Sequence, residues 1–459
     1  MARGKKTAKE LTPEEKLAQA LVPIEEQPYQ IPENWCWVRL GSISACQYGY
    51  TAKAFYGEGF PKMLRITDIQ ENSVDWEKIP NCKITEEELE KYLLKPKDIV
   101  IARTGATTGK SYCILNPVTA VFASYLIRLR VSQSISISFV YKFLQSDTYW
   151  KQISGLSSGI AQPGVNSTKL KNMSFPLPPL EEQQRIVERI ESILAKLDEA
   201  KEKAQEVVDG FEMRKSVILH KAFTGELTKK WREEQGVTLE SWKKKQLKDC
   251  GKWTGGGTPN TSRPEYWDDG GILWISAKDM KLDEIEDTQL HITDLGVENS
   301  SANYIAEASV VIVMRSGILR RTFPVAMVKR PFTVNQDLKA LSPIDSLSLE
   351  YFFWACKNAE KRILDGCMKS GTTVESINAK ALMNFEIPIA TYEEQQEIVD
   401  CINCLLMKEK KAKQSAEAVI EQIDVMKKAV LARAFRGELG TNDPEEESAM
   451  ELLKSVINL

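Results

Sequence analysis

The chain has 459 residues, room for two to four domains with their own cores, and a net charge of −3 from 61 Lys+Arg and 64 Asp+Glu. No run approaches the roughly 18 apolar residues a membrane span needs, and the Lys-rich start, Ala2 to Lys9, lacks a following apolar segment, so a soluble, cytoplasmic, unexported protein is expected. Nine cysteines, an odd number without a framework spacing, suit a reducing compartment.

Residues 1–30 form an N-terminal extension in which Thr12-Pro13-Glu14-Glu15 reads as an N-cap with proline in the first turn, predicting a short helix through Leu21. Residues 31–179 change to short strands with Gly, Pro and Asn between them, Asp98–Arg103 and Tyr125–Val131 being the clearest, and a helix is expected over Phe139–Trp150. Between residues 30 and 178 there are 17 Lys+Arg against 12 Asp+Glu, a modest basic excess.

Residues 180–228 predict one long helix. Ile186, Ile190, Ile193, Leu197, Val207 and Phe211 trace a heptad seam, broken at Arg214, and Gly225 follows as a C-terminal cap. Residues 229–240 read as a polar linker. A second mixed block, 241–391, is nearly neutral, with 19 Lys+Arg against 20 Asp+Glu between 240 and 390. A second long helix over 392–440 carries its seam at Ile398, Ile402, Leu405, Val419, Ile423 and Met426, with Glu409 as the break and Gly437 as the cap. In the 441–459 tail, Asp443-Pro444-Glu445-Glu446 suggests the start of a short amphipathic helix, and the two termini are expected to meet.

The two helices repeat without a gap at an offset of 212 residues: Glu181-Glu182-Gln183-Gln184 recurs as Glu393-Glu394-Gln395-Gln396. A narrow seam on a rod of about 65 Å needs a partner, and each copy is the other's candidate in an antiparallel coiled coil. The blocks echo one another too. Arg103-Thr104-Gly105 aligns with Arg315-Ser316-Gly317, Ser158-Gly159 with Ser370-Gly371, and Asn166, Leu170 and Asn172 with Asn378, Leu382 and Asn384. The fold class is therefore α+β, a pseudo-two-fold tandem repeat of globular block and rod.

Catalytic signatures are weak. Gly105 to Ser111 has three residues between its glycines where a phosphate-binding loop has four, and a strand-like segment follows it. Cys401-x-x-Cys404 lies within a rod without a second ligand pair, so no metal site is expected, and neither His220 nor His291 suggests acid–base work. The chain is expected to be no enzyme, with a coiled-coil protein scaffold that does not touch DNA as the alternative to a nucleic-acid reader.

Several phrases resemble the specificity subunit of type I restriction–modification enzymes. Thr254-Gly-Gly-Gly257-Thr258-Pro259, then Tyr266-Trp267 and Trp274-Ile275-Ser276, looks like the opening of that family's target recognition domains. Phe175-Pro-Leu-Pro-Pro-Leu180-Glu-Glu-Gln183 looks like its approach to the spacer helix, and Arg436-Gly-Glu-Leu439 like the exit. The first block departs from the pattern with Tyr48-Gly-Tyr-Thr51. The resemblance implies two target recognition domains, each reading half of a bipartite, asymmetric site in double-stranded DNA. It implies that the rods set the gap and dock two modification (methyltransferase) subunits. Those partners would bind S-adenosylmethionine, and ATP-driven, Mg-dependent motor subunits would add restriction; this chain itself would hold no cofactor. The candidate DNA contacts are Arg65, Arg103, Thr104 and Lys110 in the first block, and Lys278, Arg315, Ser316, Arg320 and Arg321 in the second. Arg103 and Arg315, aligned in both blocks, suit phosphate positioning better than base reading.

Overall fold

The computed structural model describes residues 12–70, 73–157, 164–371 and 373–458. The chain forms two compact units that are not the contiguous segments expected. One contains 1–204 with 418–459, and the other 205–417. Each unit thus takes a piece of both long helices.

In the first unit, Ser44–Tyr48, Leu126–Val131, Ile99–Ala102 and Ser111–Cys113 form an antiparallel sheet in that order. A second sheet runs Ala120–Phe122, Lys62–Leu64, Asn81–Cys82, Ala54–Phe55, its first pair parallel. Cys36–Arg39 pairs with Ser174–Leu177 beside the long helix. The second unit repeats this plan. Gly251–Gly255, Leu338–Pro343, Ser309–Val313 and Val325–Val328 form the antiparallel sheet. Leu290–Ile292, Ile272–Ile275 and Phe332–Val334 form the second, again with one parallel pair. Lys243–Gln246 pairs with Glu386–Ile389. The central strands Ile99–Ala102 and Ser309–Val313 are buried along their whole length, as strands covered on both faces must be. The helix expected over Phe139–Trp150 is two, Ile137–Phe143 and Asp147–Ser157, because the buried Ser146 turns the chain and accepts the Tyr149 amide to start the second. In the second unit a single helix, Leu349–Cys367, fills the corresponding place.

The first long helix is Leu180–Asp209 followed by Phe211–Phe223, and the second is Tyr392–Ala434. Within the first unit the two run antiparallel, with Lys201 on Asp424 at 2.8 Å and Lys427 on Asp198. Within the second unit Arg214 meets Glu409 at 2.6 Å. The two residues that break the seams are therefore each other's partner. Arg214 folds back over Gly210, where a side chain would meet its guanidinium, and donates to the Val207 carbonyl, which interrupts the first helix at that point. Of the expected seam, Ile186, Ile190, Ile398, Ile402 and Ile423 are buried, and Ile193, Leu197, Phe211 and Leu405 half-buried. Val207, Val419 and Met426 are exposed, and Val208, Ile420 and Lys427 turn inward instead. Ile402, Leu406, Glu409, Lys413, Ala416, Ile420, Ile423 and Lys427 are the inward positions, in alternating steps of four and three, so the heptad holds in a register one residue from the expected one at Val419 and Met426.

The repeated Glu-Gln pair is fully buried in both units. Gln183 accepts the Ser136 amide and donates to the Pro178 carbonyl. Gln395 accepts the Ser348 amide and donates to the Ala390 and Ser346 carbonyls. Ser136 and Ser348 are the N-caps of Ile137–Phe143 and Leu349–Cys367, so each glutamine ties a helix of its block to the start of a rod. Glu394 accepts from Thr228 at 2.7 Å, Arg232 at 2.5 Å and Trp242 Nε1 at 2.8 Å. Arg232 lies on Lys229–Gln235, a helix where a polar linker was expected. Glu182 accepts from the Thr441 hydroxyl at 3.0 Å, and Arg185 bridges it to Glu446 at 2.6 Å. The tail helix is Ala449–Val456, capped by Ser448 and not by Asp443. It joins the same core as Ala20, the last residue of helix Pro13–Ala20, while Asn34 bonds both Asp443 and Ala449, so the termini do meet.

Removing Arg232 leaves a buried carboxylate short of its cation, so Arg232→Ala should cost about 3–5 kcal/mol. The half-exposed Arg214→Ala should cost about 1 kcal/mol or less. Denaturant unfolding of both variants checks the ranking. Burial raises the Glu182 carboxyl above its ordinary 4.5, opposed by the Thr441 hydroxyl and Arg185. Its contribution is fully present below 4.5 and is lost as pH rises through the raised folded value. Wild type should therefore gain stability relative to Glu182→Gln as the pH falls from about 8 toward 5, read by unfolding at each pH.

Candidate nucleic-acid interface

In each unit the register of the antiparallel sheet brings three loops to one end. Tyr48 stands opposite Ile127, and Ala102 opposite Leu126, so the segments after Tyr48 and Ala102 and before Leu126 emerge together. In the second unit Gly255 opposite Lys339 and Val313 opposite Leu338 do the same.

One constraint is common to both ends. A Cβ on Gly49 would lie 2.1 Å from the Ala123 carbonyl oxygen, and one on Gly256 1.7 Å from that of Val334. The chain crosses the parallel strand pair too closely for any side chain. The Tyr48-Gly49-Tyr50-Thr51 phrase, which departs from the glycine-rich pattern, therefore keeps the one glycine the crossing requires.

The side chains at the ends differ. In the first unit the Arg103 guanidinium lies 4.9 Å over the Tyr48 ring, Nη1 donates to the Ser124 carbonyl at 3.3 Å, and buried Nε has no partner. The Tyr48 hydroxyl accepts the Ser167 amide at 2.9 Å. Tyr125, 61% exposed, and Tyr56, 76% exposed, stand free of the core. Arg65 is held by both oxygens of Asp68, at 2.7 and 3.0 Å, and Lys110 donates to the Ile69 carbonyl at 3.3 Å. Thr104 bridges Gly164 through its backbone. In the second unit Arg315 and Arg321 are exposed, Arg320 pairs with Glu375 at 2.7 Å, and Ser316 caps the short helix Gly317–Arg320. These four share one loop, whereas Lys278 lies in the separate turn closed by Ser276 and Asp279.

The alignment of Arg103 with Arg315 does not hold in space. Arg103 donates its amide to the Tyr125 carbonyl and accepts from the Val165 amide; Met314 makes the same two bonds, with Asp337 and Ile377, whereas Arg315 shares only the Asp337 carbonyl. Arg315 corresponds to Thr104, since these two form the bridges to Ser376 and Gly164. A slip of one residue in extended chain turns the side chain to the opposite face. Asn166 and Asn378, by contrast, are true counterparts, each capping a short helix, Ser167–Lys171 and Ala379–Met383. Ser158-Gly159 lies outside the described residues.

The phosphate-loop alternative loses support. In the Gly105–Ser111 segment the amides of Thr108, Gly109 and Lys110 bond the carbonyls of Gly105, Ala102 and Thr107, leaving them unavailable to cradle phosphate. Cys401 is half-buried and Cys404 exposed, both unpaired, and no cluster of metal-ligating side chains occurs among the described residues. No described helix is long and apolar enough to cross a membrane. Tyr48 and Tyr125, absent from the expected contacts, carried no signal beyond being aromatic residues next to turns.

A duplicated α+β frame with unlike loops at equivalent ends defines a tandem-repeat protein of two related units. The family model described as the type I restriction modification DNA specificity domain matches residues 32–208 and 239–418. The chain belongs to this family of type I restriction–modification specificity subunits. It is 39% identical over 159 residues to the EcoR124I/EcoR124II specificity subunit of Escherichia coli, an alignment covering 35% of this chain and 39% of that one. It is 22% identical over 455 residues to the EcoKI specificity subunit of Escherichia coli K12, covering 93% and 96%. The crystal structure of the HsdS subunit from Thermoanaerobacter tengcongensis shares the fold, with a TM-score of 0.62 at 19% identity over 90% of this chain and all of that one.

Gly256→Ala should destabilise the second unit by about 1–3 kcal/mol or more, since backbone must move to admit the methyl group. Gly271→Ala, which meets nothing within 4 Å, should change stability by about 0.5 kcal/mol or less. Thermal unfolding of the two variants distinguishes the close crossing from a generic loss of glycine.

Proposed function

We propose that this chain is the non-catalytic DNA-reading subunit of a type I restriction–modification complex, with each unit recognising one half of a bipartite, asymmetric site. The observation that carries the reading is a shared frame with unlike tips. Tyr48 and Arg103 in one unit correspond to Gly255 and Met314 in the other, while the strands behind them keep one topology. A common frame suits the common shape of B-DNA, and unlike side chains suit two different base sequences read in the major groove.

The paired helices serve as the spacer and as the docking surface for two modification subunits. Half-sites on one face of the duplex lie about one turn, roughly 34 Å, apart, and a stiff helical pair fixes such a distance where a flexible linker would smear it. S-adenosylmethionine binds those modification subunits, which extrude and methylate an adenine. ATP and Mg belong to motor subunits where restriction occurs.

The test is replacement of residues 31–179 by the corresponding block of another family member, in cells carrying the modification subunits, with modified adenines mapped across the genome. One half of the recognised sequence should change while the other half and the gap stay as they were. Failure of the chain to co-purify with a methyltransferase would instead favour a scaffold, and ATP hydrolysis or DNA cleavage by the purified chain would make it an enzyme.

A further inference from the structure

We propose that Arg103 is a base-reading side chain of the first unit, recognising guanine through its O6 and N7 edge, with Tyr48 as the platform that holds the guanidinium plane; this rests on the DNA-reading function above.

The geometry fixes Arg103 before any ligand arrives. Its backbone is clamped on both sides, the amide to the Tyr125 carbonyl at 3.0 Å and the carbonyl to the Val165 amide at 2.8 Å. Its guanidinium stacks on Tyr48, whose hydroxyl is itself tied down by the Ser167 amide. Nη1 is committed to the Ser124 carbonyl. Nε is enclosed by the fold and is not the edge a base could meet. The outer edge remains, where Nη2 and the second N–H of Nη1 make no hydrogen bond among the described residues. A guanidinium held in plane with those donors unspent matches two acceptors side by side, as guanine presents in the major groove.

Two further observations favour base over phosphate. Arg65, the other candidate arginine of this unit, already spends a pair of donors on the two oxygens of Asp68, whereas Arg103 gives one N–H to a carbonyl and keeps its outer pair. A positioning contact to the shared backbone of DNA would recur in both units, but the counterpart of Arg103 is the buried Met314. Recognition that belongs to one half-site alone predicts such a difference.

The experiment uses the full chain with its modification subunits and duplexes carrying the mapped site, in which each guanine of the first unit's half-site is replaced in turn by the other three bases. Arg103→Lys keeps the charge and loses the fork; it should reduce discrimination at one guanine position by about ten- to a hundred-fold, leaving every other position and the second half-site unchanged. Tyr48→Phe should retain the discrimination and Tyr48→Leu should weaken it at that same position. An even loss of affinity across all sequences, with a shallower salt dependence, would identify a phosphate contact and overturn the proposal. So would unchanged discrimination. A wild-type complex without sequence preference would refute the DNA-reading function itself, a separate result. Thermal unfolding of Arg103→Lys guards against lost folding, and retained reading of the second half-site is the internal control.

Discussion

The architecture depends on a carboxylate and an amide buried side by side at the start of each rod. Glu182 with Gln183 and Glu394 with Gln395 are fully enclosed, and a buried charge is tolerated only where its bonds are satisfied. The glutamine binds the globular block, through the amide of a helix-capping serine. The glutamate binds the segment that follows the C-terminal end of the partner helix, Thr441 in one unit and Thr228 with Arg232 in the other. Two adjacent side chains thus join three pieces of chain that are far apart in sequence. The hydrogen bonds are directional, so each rod begins at a fixed orientation to its own block, which hydrophobic contact alone would not impose.

Duplication explains why this joint appears twice with different parts. In the second unit the cation comes from Lys229–Gln235, which continues the chain after the first rod. In the first unit that role is split: Arg185 stands on the rod itself, and its acceptor Glu446 comes from the C-terminal tail. The C-terminal tail supplies in one unit what the middle of the chain supplies in the other. Both solutions leave the carboxylate paired, and the physical requirement is met without identical residues. The same logic holds at the other end of each block, where Gly49 and Gly256 are fixed by a close backbone crossing while their neighbours are free to differ.

Much of this was legible in the sequence, for identifiable reasons. Helix caps are local, and Thr12, Gly225 and Gly437 read correctly because capping depends on residues within one turn. The tandem repeat was legible because its helices carry no insertions. What failed depended on geometry that no local pattern records. The seam is displaced by one residue at Val207 and Val419 because steps of four and three can be laid on a long run of apolar and small residues in more than one register, and contact with the partner helix selects one. Arg103 and Arg315 share a numerical offset but not a place, since the sheet registers by hydrogen bonds and one residue is displaced between the blocks. Arg232 read as part of a polar linker because an arginine in a charged stretch is usually solvated; only the buried Glu394 across the unit gives it a structural role.

The pairing of Arg214 with Glu409 turns two apparent defects into a register device. A charged residue in a helical seam is unfavourable against an aliphatic partner, because it loses water without gaining a bond. Each break alone would therefore weaken the pairing, and both together would weaken it twice, unless they coincide. They coincide in one antiparallel alignment. Sliding one helix past the other by a turn, about 5.4 Å, separates them and leaves each charge without its partner. The half-exposed pair contributes little stability when formed, so its effect lies in the energy of the misaligned states. Polar residues at a single seam position specify register in coiled coils by this means. For a helical pair whose proposed task is to set a distance, discrimination against slipped alignments matters more than the strength of the correct one.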